Sequence, residues 1–123
     1  MVYGSSEPTP TPPPPDGTMH VSAIDMRYAK AGKSYVVYTT VTIADDAVPA
    51  APVSGATVSV RTTLPGGSTA TGSGVTGADG KVTFSVKSKL TGPYTSEVTG
   101  VTHASYTYVA GDNVITSKTL PVP

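Results

Sequence analysis

Residues 34–44 read "SYVVYTTVTIA". β-Branched and aromatic side chains fill the stretch, and these suit a pleated backbone better than a helix. With the two-residue period of a strand, Tyr35, Val37, Thr39, Val41 and Ile43 share one face. Val36, Tyr38, Thr40 and Thr42 share the other. The first set carries more apolar surface, so it is expected to face a core. No window of eleven or more residues shows the stripe of an amphipathic helix.

The same pattern extends outward in both directions. "MHVSAIDMRY" (Met19–Tyr28) reads as a first strand, closed by "AKAGKS" with Gly32. "DDAVPAAPVSG" (Asp45–Gly55) is a loop with two prolines. "ATVSVRT" (Ala56–Thr62) alternates, with Ala56, Val58 and Val60 inward and Thr57, Ser59 and Arg61 outward. "LPGGS" (Leu64–Ser68) is a turn, and "TATGSGVT" (Thr69–Thr76) is a glycine-weakened strand suited to a sheet edge. In "GADGK" (Gly77–Lys81), Asp79-Gly80 is the dipeptide of a tight hairpin, because that turn needs positive φ.

"KVTFSVK" (Lys81–Lys87) then places Val82, Phe84 and Val86 on one face. "LTGPYTSEVTGV" (Leu90–Val101) enters another strand after Gly92-Pro93, and "ASYTYVA" (Ala104–Ala110) is expected to pair with it after a turn at His103. Asn113–Leu120 supplies a last strand. Seven or eight short strands at such spacing predict an all-β, two-sheet antiparallel sandwich over residues 18–123. Thr69–Thr76 and the terminal strand are the expected edges, with glycine, Lys81 and Lys118 guarding them against pairing with another chain.

The front of the chain is different. "EPTPTPPPPDG" (Glu7–Gly17) holds half of the twelve prolines. Proline lacks the N–H that ladders need, so residues 1–17 are expected to form a Pro/Thr linker, disordered or polyproline II. Its eight central residues would reach about 25 Å. Docking into a proline-recognition groove is the alternative, but no flanking basic residue favours it. The opening "MVYGSS" lacks the basic region and apolar run of a signal peptide. It reads as a piece of a longer chain, with Met1 an added start.

Composition limits the functions available. Formal net charge is zero and charged residues make up 13%, which argues against a nucleic-acid binder and against a polybasic membrane anchor. No apolar run approaches the roughly 20 residues of a span. The chain has no cysteine, so disulfides, thiolate metal sites and cysteine nucleophiles are excluded.

Three stretches carry a resemblance. "APVSGATVSV", "TGADGKVTFSV" and "TGPYT" are similar, in this order, to motifs of bacterial immunoglobulin-like modules. "MHVSAIDM" and "VTHASYTYVAGDN" resemble an immunoglobulin-like or fibronectin-III-like accessory domain of secreted modular hydrolases, proteases among them. The likeness spans residues 19–113. Its Gly-Ala-x-Val and Ala-Asp-Gly-Lys elements are shared with prealbumin-like sandwiches. Some relatives carry a cysteine pair where this chain has Val75 and Val82, so no staple is expected.

The resemblance implies a non-catalytic spacing, stabilising or docking module. Its covalently linked partner would be a catalytic domain of an extracellular or cell-surface bacterial protein. It also implies that Tyr94 is the corner tyrosine whose hydroxyl bonds back to the backbone.

Candidate sites are few. His20 and His103 are the only histidines, and no Gly-x-Ser-x-Gly elbow is present. Both imidazoles are expected to be structural, and no catalytic residue is assigned. Asp45 and Asp46 with loop carbonyls would suit calcium, with Asp25 or Asp112 assisting; the simpler role is turn formation and solubility. Asp79 and Gly80 are assigned to their turn. There are seven Tyr, one Phe and no Trp. Tyr38, Tyr106 and Tyr108, if shown together by one sheet, would form a stripe for stacking on polysaccharide; the alternative is packing at sheet margins with wet hydroxyls. A third reading is an adhesin-like surface module. There, Asn113, the chain's one asparagine, would join Lys30 or Lys33 in an isopeptide bond.

Overall fold

The computed structural model describes residues 17–47 and 49–123. The expected linker therefore lies outside the described residues up to position 16. The described chain runs β1 (Thr18–Ala31), β2 (Ser34–Asp45), β3 (Thr57–Thr63), β4 (Thr69–Val75), β5 (Lys81–Ser88), β6 (Gly92–Thr102), β7 (Thr107–Tyr108), a short 3-10 turn (Ala110–Asp112) and β8 (Ser117–Val122). Two sheets of four strands result, in the orders β5-β2-β1-β7 and β4-β3-β6-β8. The architecture is an all-β sandwich.

Burial follows the alternation in the sequence. On β2, Val37, Thr39, Val41 and Ile43 are buried, while Tyr38, Thr40 and Thr42 are not. On β3, Val58 and Val60 face in and Arg61 faces out. β1 adds Met19, Val21 and Ile24; a bulge at Ser22, between Val21 and Ala23, shifts its inward phase by one residue. Val53, Ala56, Val98 and Val101 complete the larger core cluster. A smaller cluster of Val37, Tyr94 and Val122 closes the other end. Each fully buried Val or Ile contributes about 1.5–3 kcal/mol from apolar burial.

Three expectations are corrected. The Asp79-Gly80 turn does not close a hairpin: β4 and β5 lie in different sheets, so the turn carries the chain from one sheet to the other. Tertiary packing decides this, because β5 pairs with β2 along Tyr35–Thr42 instead. Second, the segment after His103 does not return alongside β6. It crosses to the opposite sheet, where Thr107 and Tyr108 pair with Thr18 and Met19. Third, that pairing is parallel, so the sheets are not wholly antiparallel.

Glycine in β4 has a packing role. Gly72 and Gly74 sit opposite Val60 and Val58, on the inward face. A Cβ on Gly74 would come within 2.8 Å of Val82 Cγ2, and one on Gly72 within 3.3 Å of the Phe84 ring. The bare backbone is therefore the slot that receives the Phe84 ring from β5.

The chain enters and leaves at opposite ends. β1 starts where the 46–56 loop, the Thr76–Gly80 turn and β7 gather: Asp46 N–H bonds Thr18 O, Ile43 N–H bonds Gly80 O, and Thr107 N–H bonds Gly17 O. β8 finishes at the far end, where Val122 pairs with Gly92.

Candidate functional site

The polar side chains at the entry end are engaged in closing loops. Asp45 Oδ1 accepts the backbone N–H groups of Ala47 (3.1 Å) and Ala51 (2.8 Å). Asp46 is held by Thr18, whose hydroxyl donates to Oδ2, and by His20, whose Nδ1 lies 2.7 Å from Oδ1. The two atoms are close, but His20 Nδ1 has no hydrogen-bond partner among the described residues. Asp45 thus closes the loop on itself, and Asp46 fixes it to the first strand.

Asp25 lies in mid-β1 opposite Thr40, and Asp112 in the 3-10 turn. Among the described residues, no three His, Cys, Asp or Glu side chains gather as metal ligands. Thr76, buried, donates its hydroxyl to Val53 O (2.7 Å) and accepts the Ala56 N–H (2.9 Å).

His103 is fixed at both nitrogens. Its Nδ1 accepts the Ser105 N–H at 2.8 Å, so Nε2 carries the proton and donates to Ser54 O at 2.8 Å. The Tyr106 ring meets it edge-on, with centroids 5.0 Å apart. His103 ties two loops together, His20 on β1 lies against Asp46, and among the described residues neither imidazole is paired with a hydroxyl.

The three tyrosines are not brought together. Tyr38 stands on the solvent side of the β5-β2-β1-β7 sheet, with the Arg27 guanidinium 4.1 Å from its ring centroid. Tyr106 and Tyr108 pack against the larger core cluster from the entry end. The Tyr108 hydroxyl accepts an N–H from Asn113 Nδ2 at 2.7 Å. The same Asn113 takes the Val21 N–H on its Oδ1 at 2.7 Å. Lys30 pairs with Tyr35 by the β1–β2 turn and Lys33 lies within it. Nine residue steps along β1 separate Val21 from Lys30, about 30 Å, so neither lysine reaches Asn113.

Tyr94 is fully buried at the start of β6, and its hydroxyl donates to Leu90 O at 2.6 Å. Asp79 Oδ1 accepts the Lys81 N–H at 3.1 Å. Gly80 has φ of +75°, and a Cβ there would lie 2.6 Å from Ile43 O and 2.9 Å from Pro52 Cβ.

One polar feature was missed. Thr39, Thr62 and Ser96 meet between the sheets, with Ser96 Oγ 2.7 Å from Thr39 Oγ1 and 2.9 Å from Thr62 Oγ1. All three are buried. Thr39 and Thr62 also border a cleft of about 80 Å³, walled by Val37, Val60, Gly72 and Phe84. The available signal was a lone threonine within the inward row of β2. No protein family, curated protein or solved structure matches the chain.

Proposed function

We propose that the chain is a non-catalytic spacer module of immunoglobulin-like type, built to carry tension between what it joins. One observation carries this reading: the chain enters at one end of the sandwich and leaves at the other. β6 alone, eleven residues long, spans about 36 Å. Neighbours attached at residues 17 and 123 would stand on the order of 30 Å apart.

The terminal strands suit that load. Pulling residue 17 outward drags β1 along β2, with which it is paired from Met19 to Ala31. Pulling residue 123 drags β8 along β6, paired from Ser117 to Val122. Antiparallel ladder bonds lie perpendicular to the strands, so the force loads them together and not one after another.

The strand arrangement supports the finer fold assignment. In immunoglobulin constant domains, strands one, two, five and four face strands three, six and seven. Here β1, β2 and β5 share a sheet, and β3, β6 and β8 share the other. β4 has joined the edge of the second sheet, as additional strands do in variable domains. Tyr94, at the start of β6 and bonded four residues back, sits where such folds place their corner tyrosine.

The covalent partner would be a catalytic domain of an exported bacterial protein, joined through the Pro/Thr segment. Single-molecule pulling tests the reading. Pulled between residues 17 and 123, the domain should resist more strongly than when pulled between Lys33→Cys and Pro123→Cys, both at the exit end. Equal or weaker end-to-end resistance would overturn the load-bearing role. Specific retention on cellulose, chitin or xylan would replace it with carbohydrate binding.

A further inference from the structure

The longest strand has an unpaired edge. β1 has 14 residues, but β7 covers only Thr18 and Met19. Val21 is closed by Asn113 Oδ1 and by the Val114 N–H. Beyond the bulge at Ser22, no described strand pairs with β1 on that side; β8, the edge of the other sheet, runs close to β1 without pairing with it.

The direction of each backbone group there follows from β2. Ile43 gives its N–H to Gly80 O and its O to Val53 N–H, so it points away from β1. By alternation, Thr42, Thr40, Tyr38, Val36 and Ser34 face β1, opposite Ala23, Asp25, Arg27, Ala29 and Ala31. Ile24, Met26, Tyr28 and Lys30 therefore aim their N–H and C=O groups outward, away from the sheet.

An open edge is a template for another strand. The other edges here are blunted. β8 carries Lys118 and Pro121, β4 carries Gly72 and Gly74, and β5 packs over β4. On β1 from Ala23 to Tyr28, no proline, glycine or bulge interrupts the strand.

We infer that two copies of the chain pair through this edge, antiparallel, about a twofold axis at Met26. Hydrogen-bond parity and charge select this register together. Centring on Met26 puts Met26 opposite Met26 of the partner copy, and Ile24 opposite Tyr28. All of these are outward-aimed residues, so each pair exchanges two backbone bonds. The same register sets Asp25 opposite Arg27 of the other copy, twice by symmetry, in the closer non-hydrogen-bonded positions. Both are exposed, and neither has an ion-pair partner among the described residues. Ala23 meets Ala29, which leaves room for the strands to approach. Centring on Asp25 or Arg27 would set like charges face to face. The half-exposed Tyr28 ring would gain cover from Ile24 of the other copy. The product is a continuous six-stranded sheet, β5-β2-β1 joined to β1-β2-β5 of the other copy, with an isologous interface.

Sedimentation of the full chain from micromolar to millimolar concentration gives the test, with hydrogen exchange read by NMR. The expected result is a reversible dimer, with concentration-dependent protection at the amides of Ile24, Met26 and Tyr28. The amides of Asp25 and Arg27, already bonded within the sheet, should not change. Asp25→Arg should weaken the dimer by about tenfold or more, and adding Arg27→Asp should restore it by recreating both ion pairs. A monomer at every concentration would overturn the inference. So would a dimer indifferent to the reversals, or one whose protection appears along β8.

Discussion

The Ser96→Ala substitution isolates the buried hydroxyl cluster. Ser96 is 1% exposed, Thr39 2% and Thr62 7%, and Ser96 Oγ is the atom joining the two sheets' threonines. Removing it deletes two hydrogen bonds and leaves the buried hydroxyls of Thr39 and Thr62 each without the partner they shared. An unsatisfied buried hydroxyl costs about 1–3 kcal/mol. The adjoining cleft can lend water to one of them, so the expected loss is about 2–3 kcal/mol. That is a large share of a total stability of about 5–15 kcal/mol.

The triple variant Thr39→Val, Thr62→Val, Ser96→Ala removes donors and acceptors together. Replacing all partners by apolar groups of like shape is close to neutral, so it should lie within about 1 kcal/mol of the parent. Urea unfolding reads both. At a slope of about 1–1.5 kcal/mol per molar for a domain of this size, the single variant's midpoint should fall by about 2 M. The triple variant's should fall by less than half that. A single variant that unfolds with the parent, or a triple variant as damaged as the single, would refute the view that satisfaction of these groups sets the cost.

Three further substitutions probe other joints. Gly80→Ala should cost more than about 3 kcal/mol, because positive φ strains alanine and its Cβ would collide with Ile43 O; the thermal midpoint should drop by more than about 10 °C. Tyr94→Phe should cost about 1–2 kcal/mol by orphaning the Leu90 carbonyl, again by urea midpoint, with the fold unchanged by NMR. Asp45→Ala should cost about 1–2 kcal/mol and speed hydrogen exchange at Ala47 and Ala51, whose N–H groups it holds.

Much of the sandwich was legible, and what was hidden is of one kind. The inward faces of β2 and β3 follow from period two. The turn at Gly80 follows from its φ requirement, and the Tyr94 hydrogen bond followed from resemblance. These are local facts. Which sheet each strand joins is not local: Asp79-Gly80 serves a crossing as well as a hairpin, and packing against β2 decided between them. The glycines of β4 looked like weakness because Phe84, their occupant, comes from the other sheet. Thr39 was visible as a misfit among valines, but its partners Thr62 and Ser96 lie on β3 and β6. At the site level, the tyrosines' spacing in sequence did not reveal that Tyr106 and Tyr108 turn inward, since β7 crosses between sheets. The open edge of β1 was likewise invisible, because an edge is defined by the strand that is not beside it.

The separation of the two ends is the most direct test of the spacer. The chain has no cysteine, so Ala47→Cys, beside the entry strand, and Pro123→Cys, after the exit strand, can carry a single pair of spin labels. Pulsed dipolar spectroscopy at a concentration where the chain is monomeric should give one narrow distance distribution centred at roughly 30–40 Å, as the length of β6 requires. A distribution centred below about 20 Å would place both ends at one pole and contradict the account.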